Sequence, residues 1–191
     1  MENDTCITFP VLGEPAPDFE AETTQGPIKL SELKGKWVVM FSHPADFTPV
    51  CTTEFMAFAN IYDELRSLNV HLIGLSVDSI SAHLAWVHDI KEKMGVTIPF
   101  PIIADLTMKV ARKYGMIHPG QSSTAAVRCV FFIDDKGIMR AMIYYPLQTL
   151  VNAGVEEILL VTGGIAMWNM GVAYLVGLIL HYALKVRWIK V

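Results

Sequence analysis

The sequence predicts an α/β fold with a central mixed β-sheet flanked by helices, and three observations carry that prediction. Lys36–Phe41 and Val70–Val77 are near-continuous apolar runs rich in β-branched and aromatic residues, the pattern of strands buried on both faces. Between them Phe55, Phe58, Ala59, Tyr62 and Leu65 recur at helical spacing, which makes a βαβ unit with a parallel strand pair. Further along, the runs Val127–Ile133 and Ile138–Tyr144 flank the turn Asp134–Gly137, a hairpin signal.

The elements follow in order. Residues 11–35 hold Gly13, Pro15, Pro17, Gly26, Pro27 and Gly35, a density that predicts turns separating short extended pieces. The first long helix is expected from about Thr52 to Leu68. Ser79 is placed to cap a second helix whose apolar stripe is Ile80, Leu84, Val87, Ile90 and Met94, ended by Gly95. Trp86 lies between stripe positions and has two readings, a pocket wall or a partly buried aromatic in the seam between helix and sheet. Pro99–Asp105 predicts a short extended segment, and residues 107–114 a short helix closed by Gly115. Nothing repeats internally. The expected division is one α/β domain over residues 1–150 and a separate apolar segment over 151–191.

Composition narrows the function classes. A chain of 191 residues suits one domain with a full core. With a net charge of −4 and no lysine or arginine run before the last seven positions, nucleic acid is not an expected partner. The acidic N-terminus lacks the apolar stretch of a secretory signal, so a cytoplasmic location is expected. The cysteines at 6, 51 and 129 form neither a Cys-x-x-Cys pair nor a zinc spacing, and neither metal nor cofactor is expected. An odd cysteine count in a reducing compartment leaves at least one free thiol. His83 and His88 are five apart on one predicted helix and do not share a face, so surface or packing roles are expected for them.

Chemistry concentrates in residues 41–54. There Thr48 is placed as N-cap and Pro49 as first helical residue, where proline's missing N–H costs nothing. Cys51 then falls in the first helical turn, where unpaired N–H groups and the helix dipole favour a thiolate. The competing reading is a small hydrophobe packed in a turn. Arg128 is the oddity of the third strong strand, flanked by Val127, Cys129, Val130, Phe131 and Phe132. It either points to solvent from an edge or supplies a fixed cation to a site, and beside a thiolate such a cation would hold an oxyanion.

These residues carry a resemblance. The pattern Pro44-x-x-x-Thr48-x-x-Cys51 matches the signature of the peroxiredoxins of the AhpC/TSA family, and Ser42–Glu54 resembles the 1-Cys, peroxiredoxin 6-like subgroup. The likeness continues through Leu75–Ser79, His83–Trp86, Pro99–Ile103, the strand bearing Arg128, and Tyr144–Pro146, covering roughly residues 10–148. It implies a thioredoxin-like fold and a thiol-dependent peroxidase. By the resemblance Cys51 is the peroxidatic cysteine, Thr48 and Arg128 are donors to the peroxide, and Pro44 shields the thiolate. His43, Val50 and Glu54 support the substrate pocket. The implied substrates are hydrogen peroxide and small organic hydroperoxides. No cysteine follows Cys129, which points away from Arg128 on the same strand, so a 1-Cys cycle is expected, with resolution by Cys6 from a mobile N-terminus as the lesser alternative. Its reductant is an external thiol, such as a thioredoxin-like protein, glutathione or another small thiol. A homodimer or larger homo-oligomer is implied. The subgroup's Gly-x-Ser-x-Gly motif does not occur here, so no esterase activity is expected.

The C-terminal part departs from the family. From Ile158 to Leu184 there is no Asp, Glu, Lys or Arg, and the run exceeds the ~20 apolar residues that span a bilayer. Lys185, Arg187 and Lys190 follow it. Three readings stand side by side: a membrane anchor over 158–184, an apolar helix covered in an oligomer interface, or an aberrant tail from a fusion or frame shift. The non-catalytic alternative for the whole chain is a thioredoxin-like scaffold or holdase, free or tethered to a membrane, for which Arg128 would point to solvent more than ~6 Å from Cys51.

Overall fold

The structure is a computed structural model that describes residues 9–145. Cys6 and every expectation placed on 151–191, the 158–184 span included, lie outside the described residues. Within them no helix is long and apolar enough to cross a membrane.

Seven strands form one mixed sheet: β1 Glu20–Thr23, β2 Gly26–Lys29, β3 Trp37–Ser42, β4 Val70–Ser76, β5 Ile102–Ala104, β6 Arg128–Ile133 and β7 Met139–Tyr145. Their spatial order is β2-β1-β5-β4-β3-β6-β7. β3 pairs parallel with β4 and antiparallel with β6, which puts it near the middle of the sheet. The helices are α1 Pro49–Asn60, α2 Tyr62–Ser67, α3 Ile80–Met94 and α4 Lys109–Lys113. This is the thioredoxin-like arrangement expected.

Alternation along the strands divides the core into two layers. Met40, Ile73, Leu75, Cys129 and Phe131 face one side, where Val110, Ala111 and Tyr114 cover them. Phe41 and Leu72 face the other, where Cys51 and Phe55 of α1 and Trp86 and Ile90 of α3 cover them. α1 approaches the sheet closely at Gly74, because a Cβ there would lie 3.1 Å from the ring of Phe55. The hairpin turn is built as expected: the Asp134 carboxylate accepts from the N–H groups of Lys136 and Ile138.

Two expectations about helices are corrected. The single helix over 52–68 is broken at Ile61 (φ −102°, ψ 4°). The break redirects α2, which buries none of its residues, toward β4, while Tyr62 turns its ring onto Phe100. On α3 the caps are as expected, with Ser79 Oγ accepting from Ala82 N–H and Gly95 in the left-handed region at φ 70°. Its buried face differs. Leu84 and Met94 are 49% and 56% exposed, and the face packed on the sheet is His83, Trp86 and Ile90. The helix turns this way because Trp86 enters an aromatic cluster with Phe55 and His43, and His83 finds partners for both ring nitrogens. Satisfied polar atoms remove most of the cost of burying a histidine.

Candidate active site

The C-terminal end of β3 delivers the site. β3 ends at Ser42, and the loop 43–48 carries the chain across to α1. Thr48 is the N-cap by backbone conformation but its hydroxyl does not cap the helix; it donates to the Ala45 carbonyl at 3.2 Å. Pro49 opens α1, and Cys51 sits in the first turn, 1% exposed. Immediately before Thr48 the loop passes through Phe47 at φ 57°, a left-handed conformation that a bulky residue adopts only under local constraint.

Because β6 runs antiparallel to β3, its start lies beside the end of β3, with Ser42 opposite Cys129 and Arg128 one residue beyond. That register brings Arg128 to the loop, 77 residues from Cys51 in sequence. Arg128 is 8% exposed, and its Nη2 donates to Cys51 Sγ at 3.3 Å. Its Nη1 pairs with Glu54, one turn after Cys51 on α1. A guanidinium holds such a two-pronged position better than an ammonium, since its fork is planar and fixed. The solvent reading of Arg128 is therefore excluded. Trp86 takes the seam between helix and sheet, more deeply buried than expected, and donates from its indole N–H to Thr52 Oγ1 at 3.3 Å.

The remaining expected site residues are disposed as follows. Pro44 is half-buried in the loop. Val50 is 49% exposed and stands at the surface of α1. His43 is completely buried, edge-on to Phe55 and against Trp86. Cys129 lies in the other core layer, as alternation requires. Ser42 Oγ donates to the Val127 carbonyl, so in its 2.9 Å contact with Cys129 the thiol is the donor. Burial pushes the Cys129 thiol up to about 12.

Sequence reasoning missed Asp46 and gave His83 only a general packing role. Asp46 Oδ1 accepts from His43 Nε2 at 2.8 Å, and its Oδ2 lies 2.7 Å from His83 Nδ1. These are hydrogen-bond lengths. Two ligands on a tetrahedral zinc would stand about 3.3 Å apart, so the three side chains are bonded to one another and leave no space for an ion between them. Burial pushes His43 down, with the Asp46 bond opposing. For Asp46 burial acts upward, but the bonds from both histidines outweigh it and hold the carboxyl below its ordinary range. The signal available in the sequence was the spacing of His43 and Asp46 next to the cysteine; its partner on α3 is 37 residues away.

A buried thiol against one prong of a guanidinium, with a hydroxyl-bearing loop beside it, is suited to a small polar molecule that develops negative charge as it reacts. Known proteins are similar to this chain in sequence and in fold. A peroxiredoxin of Aquifex aeolicus is 68% identical over 144 residues, which are 75% of this chain and 65% of that protein. Peroxiredoxin 2 of Caldanaerobacter subterraneus subsp. tengcongensis is 57% identical over 159 residues, 83% of this chain and 71% of that protein. The chain thus spans about two thirds of the length of these relatives. Among solved structures, a cysteine-to-serine mutant of the peroxiredoxin 6 of Arenicola marina superimposes with a TM-score of 0.66 at 40% identity, covering 72% of this chain and 66% of that one. The yeast mitochondrial 1-Cys peroxiredoxin does so with a TM-score of 0.65 at 39% identity, covering 80% and 79%. Residues 12–142 match the AhpC/TSA family, and with relatives of this identity the chain belongs to that family.

Proposed function

We propose that this chain is a thiol-dependent peroxidase that reduces hydrogen peroxide and small organic hydroperoxides at Cys51. The observation that carries the reading is the 3.3 Å contact between Arg128 Nη2 and Cys51 Sγ in a buried setting. The Cys51 thiolate attacks one peroxide oxygen; an S–O bond forms, the O–O bond breaks, and the other oxygen leaves as water or an alcohol after taking a proton. The cysteine is oxidised to a sulfenic acid while the peroxide is reduced. Both oxygens gain negative charge as their bond breaks, so Arg128 and the Thr48 hydroxyl stabilise the transition state more than the ground state. For this, Thr48 exchanges its bond to Ala45 for one to the peroxide. Glu54 holds the Arg128 fork, Pro44 screens the sulfur from solvent, His43 borders the pocket, and Val50 lies at its rim.

The cycle we infer uses one cysteine of this chain. Cys129 is buried in the opposite layer with its thiol kept protonated, which supports an external thiol as reductant. The yeast neighbour is described with a thiol-resolving mechanism through glutathione and thioredoxin systems, and we assign reductants of those two kinds here. We further assign a cytoplasmic location, a homo-oligomer and a domain division near residue 150. The scaffold alternative would need an Arg128 directed to solvent, which the burial of this residue does not favour.

The test is the reaction of the full chain with hydrogen peroxide, with sulfenic acid trapped by dimedone and located by mass spectrometry. One equivalent at Cys51 is expected, and none in Cys51→Ser. Peroxide consumption that persists in Cys51→Ser would overturn the assignment.

A further inference from the structure

Asp46 lies between two buried histidines, and its hydrogen bonds fix where the protons of this network stand. The Ile103 carbonyl can only accept, so His83 Nε2, 3.1 Å from it, carries a proton. The other ring nitrogen faces Asp46 Oδ2 at 2.7 Å. A neutral His83 ring and an ionised carboxylate would set two lone pairs against each other at that distance. One further proton therefore lies in the contact. His43 does not supply it: its Nε2 is committed to Oδ1, and its Nδ1 is buried without any hydrogen-bond partner, the pattern of a neutral ring.

The backbone of Asp46 is fastened as well. Its N–H donates to Asp78 Oδ2 at 3.1 Å, an atom that also accepts from the Ser76 hydroxyl at 2.7 Å. Asp105, which follows β5, turns its carboxylate to the N–H groups of Val110 and Ala111 and takes no part. Both ends of Asp46 are thus held, and the next residue is Phe47 in its left-handed conformation, followed by Thr48. A loop with a bulky residue in that region keeps its shape only if its neighbours fix it.

We propose that Asp46 is a positioning residue: sharing one proton with His83, it latches the 43–48 loop to α3 and so sets where Pro44 and Thr48 stand beside Cys51. The latch itself is a statement about hydrogen bonds, whereas its consequence for rate rests on the peroxidase reading. Asp46→Asn separates proton from latch. An asparagine can accept from His43 through Oδ1 and donate from Nδ2 to a neutral His83 Nδ1, which needs no shared proton. Asp46→Ala can do neither.

The experiment uses the full chain as wild type, Asp46→Asn and Asp46→Ala. Nitrogen-15 spectra of the histidine rings at neutral pH should show both His83 nitrogens protonated in the wild type and Nδ1 bare in Asp46→Asn. The second-order rate constant with hydrogen peroxide should fall on the order of 10- to 100-fold in Asp46→Ala, the cost of misplaced reacting groups, and recover largely in Asp46→Asn. A bare His83 nitrogen in the wild type overturns the shared proton. An Asp46→Ala protein as fast as wild type overturns the positioning role. If Asp46→Ala does not fold, the wild-type spectrum and Asp46→Asn still decide. A wild type that consumes no peroxide refutes the peroxidase reading instead, and the ring spectra then judge the latch by themselves.

Discussion

Replacing Arg128 by methionine removes the guanidinium and keeps much of its length. Unit charges 3.3 Å apart attract by about 5 kcal/mol at an effective dielectric near 20, the value suited to sites in real proteins. Glu54 pulls on the other prong and is about a third exposed, so part of that attraction is cancelled or screened. About 3 kcal/mol then remains for the reacting sulfur and peroxide, within the range measured for loss of one oxyanion donor. That energy corresponds to a fall of roughly 10²-fold in the rate constant. Arg128→Lys keeps a charge but not the planar fork, and its loss should lie between methionine and wild type. The assay is stopped-flow mixing with excess hydrogen peroxide, followed by tryptophan fluorescence, with urea unfolding of each variant as control. A folded Arg128→Met that reacts within roughly threefold of wild type would refute the reasoning, since it would leave the guanidinium with no part in charge stabilisation.

Three other outcomes follow from the same geometry. Gly74→Ala places a Cβ 3.1 and 3.3 Å from ring atoms of the buried Phe55, so overpacking should cost about 1–3 kcal/mol; an unchanged urea midpoint would contradict the close approach of α1. His43 is held down by burial, so the unfolded chain takes up its proton first, and stability should decline as pH falls below about 6.5. Asp46, also held low, extends the decline below about 3.8; thermal melts from neutral to acid pH that show no loss would oppose this sign. Cys129 should stay unlabelled by iodoacetamide at mildly alkaline pH in the native protein and react after unfolding, because burial keeps its thiol protonated up to about 12. Native labelling of Cys129 would show that its layer opens.

What the sequence determined alone is local. The unit from β3 through α1 to β4 was legible because a strand buried on both faces must be apolar throughout, and because Thr48, Pro49 and Cys51 start a helix by rules that involve only adjacent residues. The hairpin at Asp134–Gly137 was legible for the same reason. The family pattern around Pro44, Thr48 and Cys51 is likewise a matter of short spacing.

Only the tertiary structure decided which way α3 turns and what meets the sulfur. Its periodicity offered Leu84 and Met94 as readily as His83 and Trp86, and the choice depended on partners from the 43–48 loop and β5. The contact of Arg128 with Cys51 depends on β6 lying antiparallel beside β3, a register that no local pattern states. Asp46 is an ordinary loop aspartate in the sequence, and becomes the centre of a buried network once two histidines from different elements converge on its two oxygens. Spacing can place a residue on a face, but hydrogen bonds between residues distant in sequence exist only after the chain has folded.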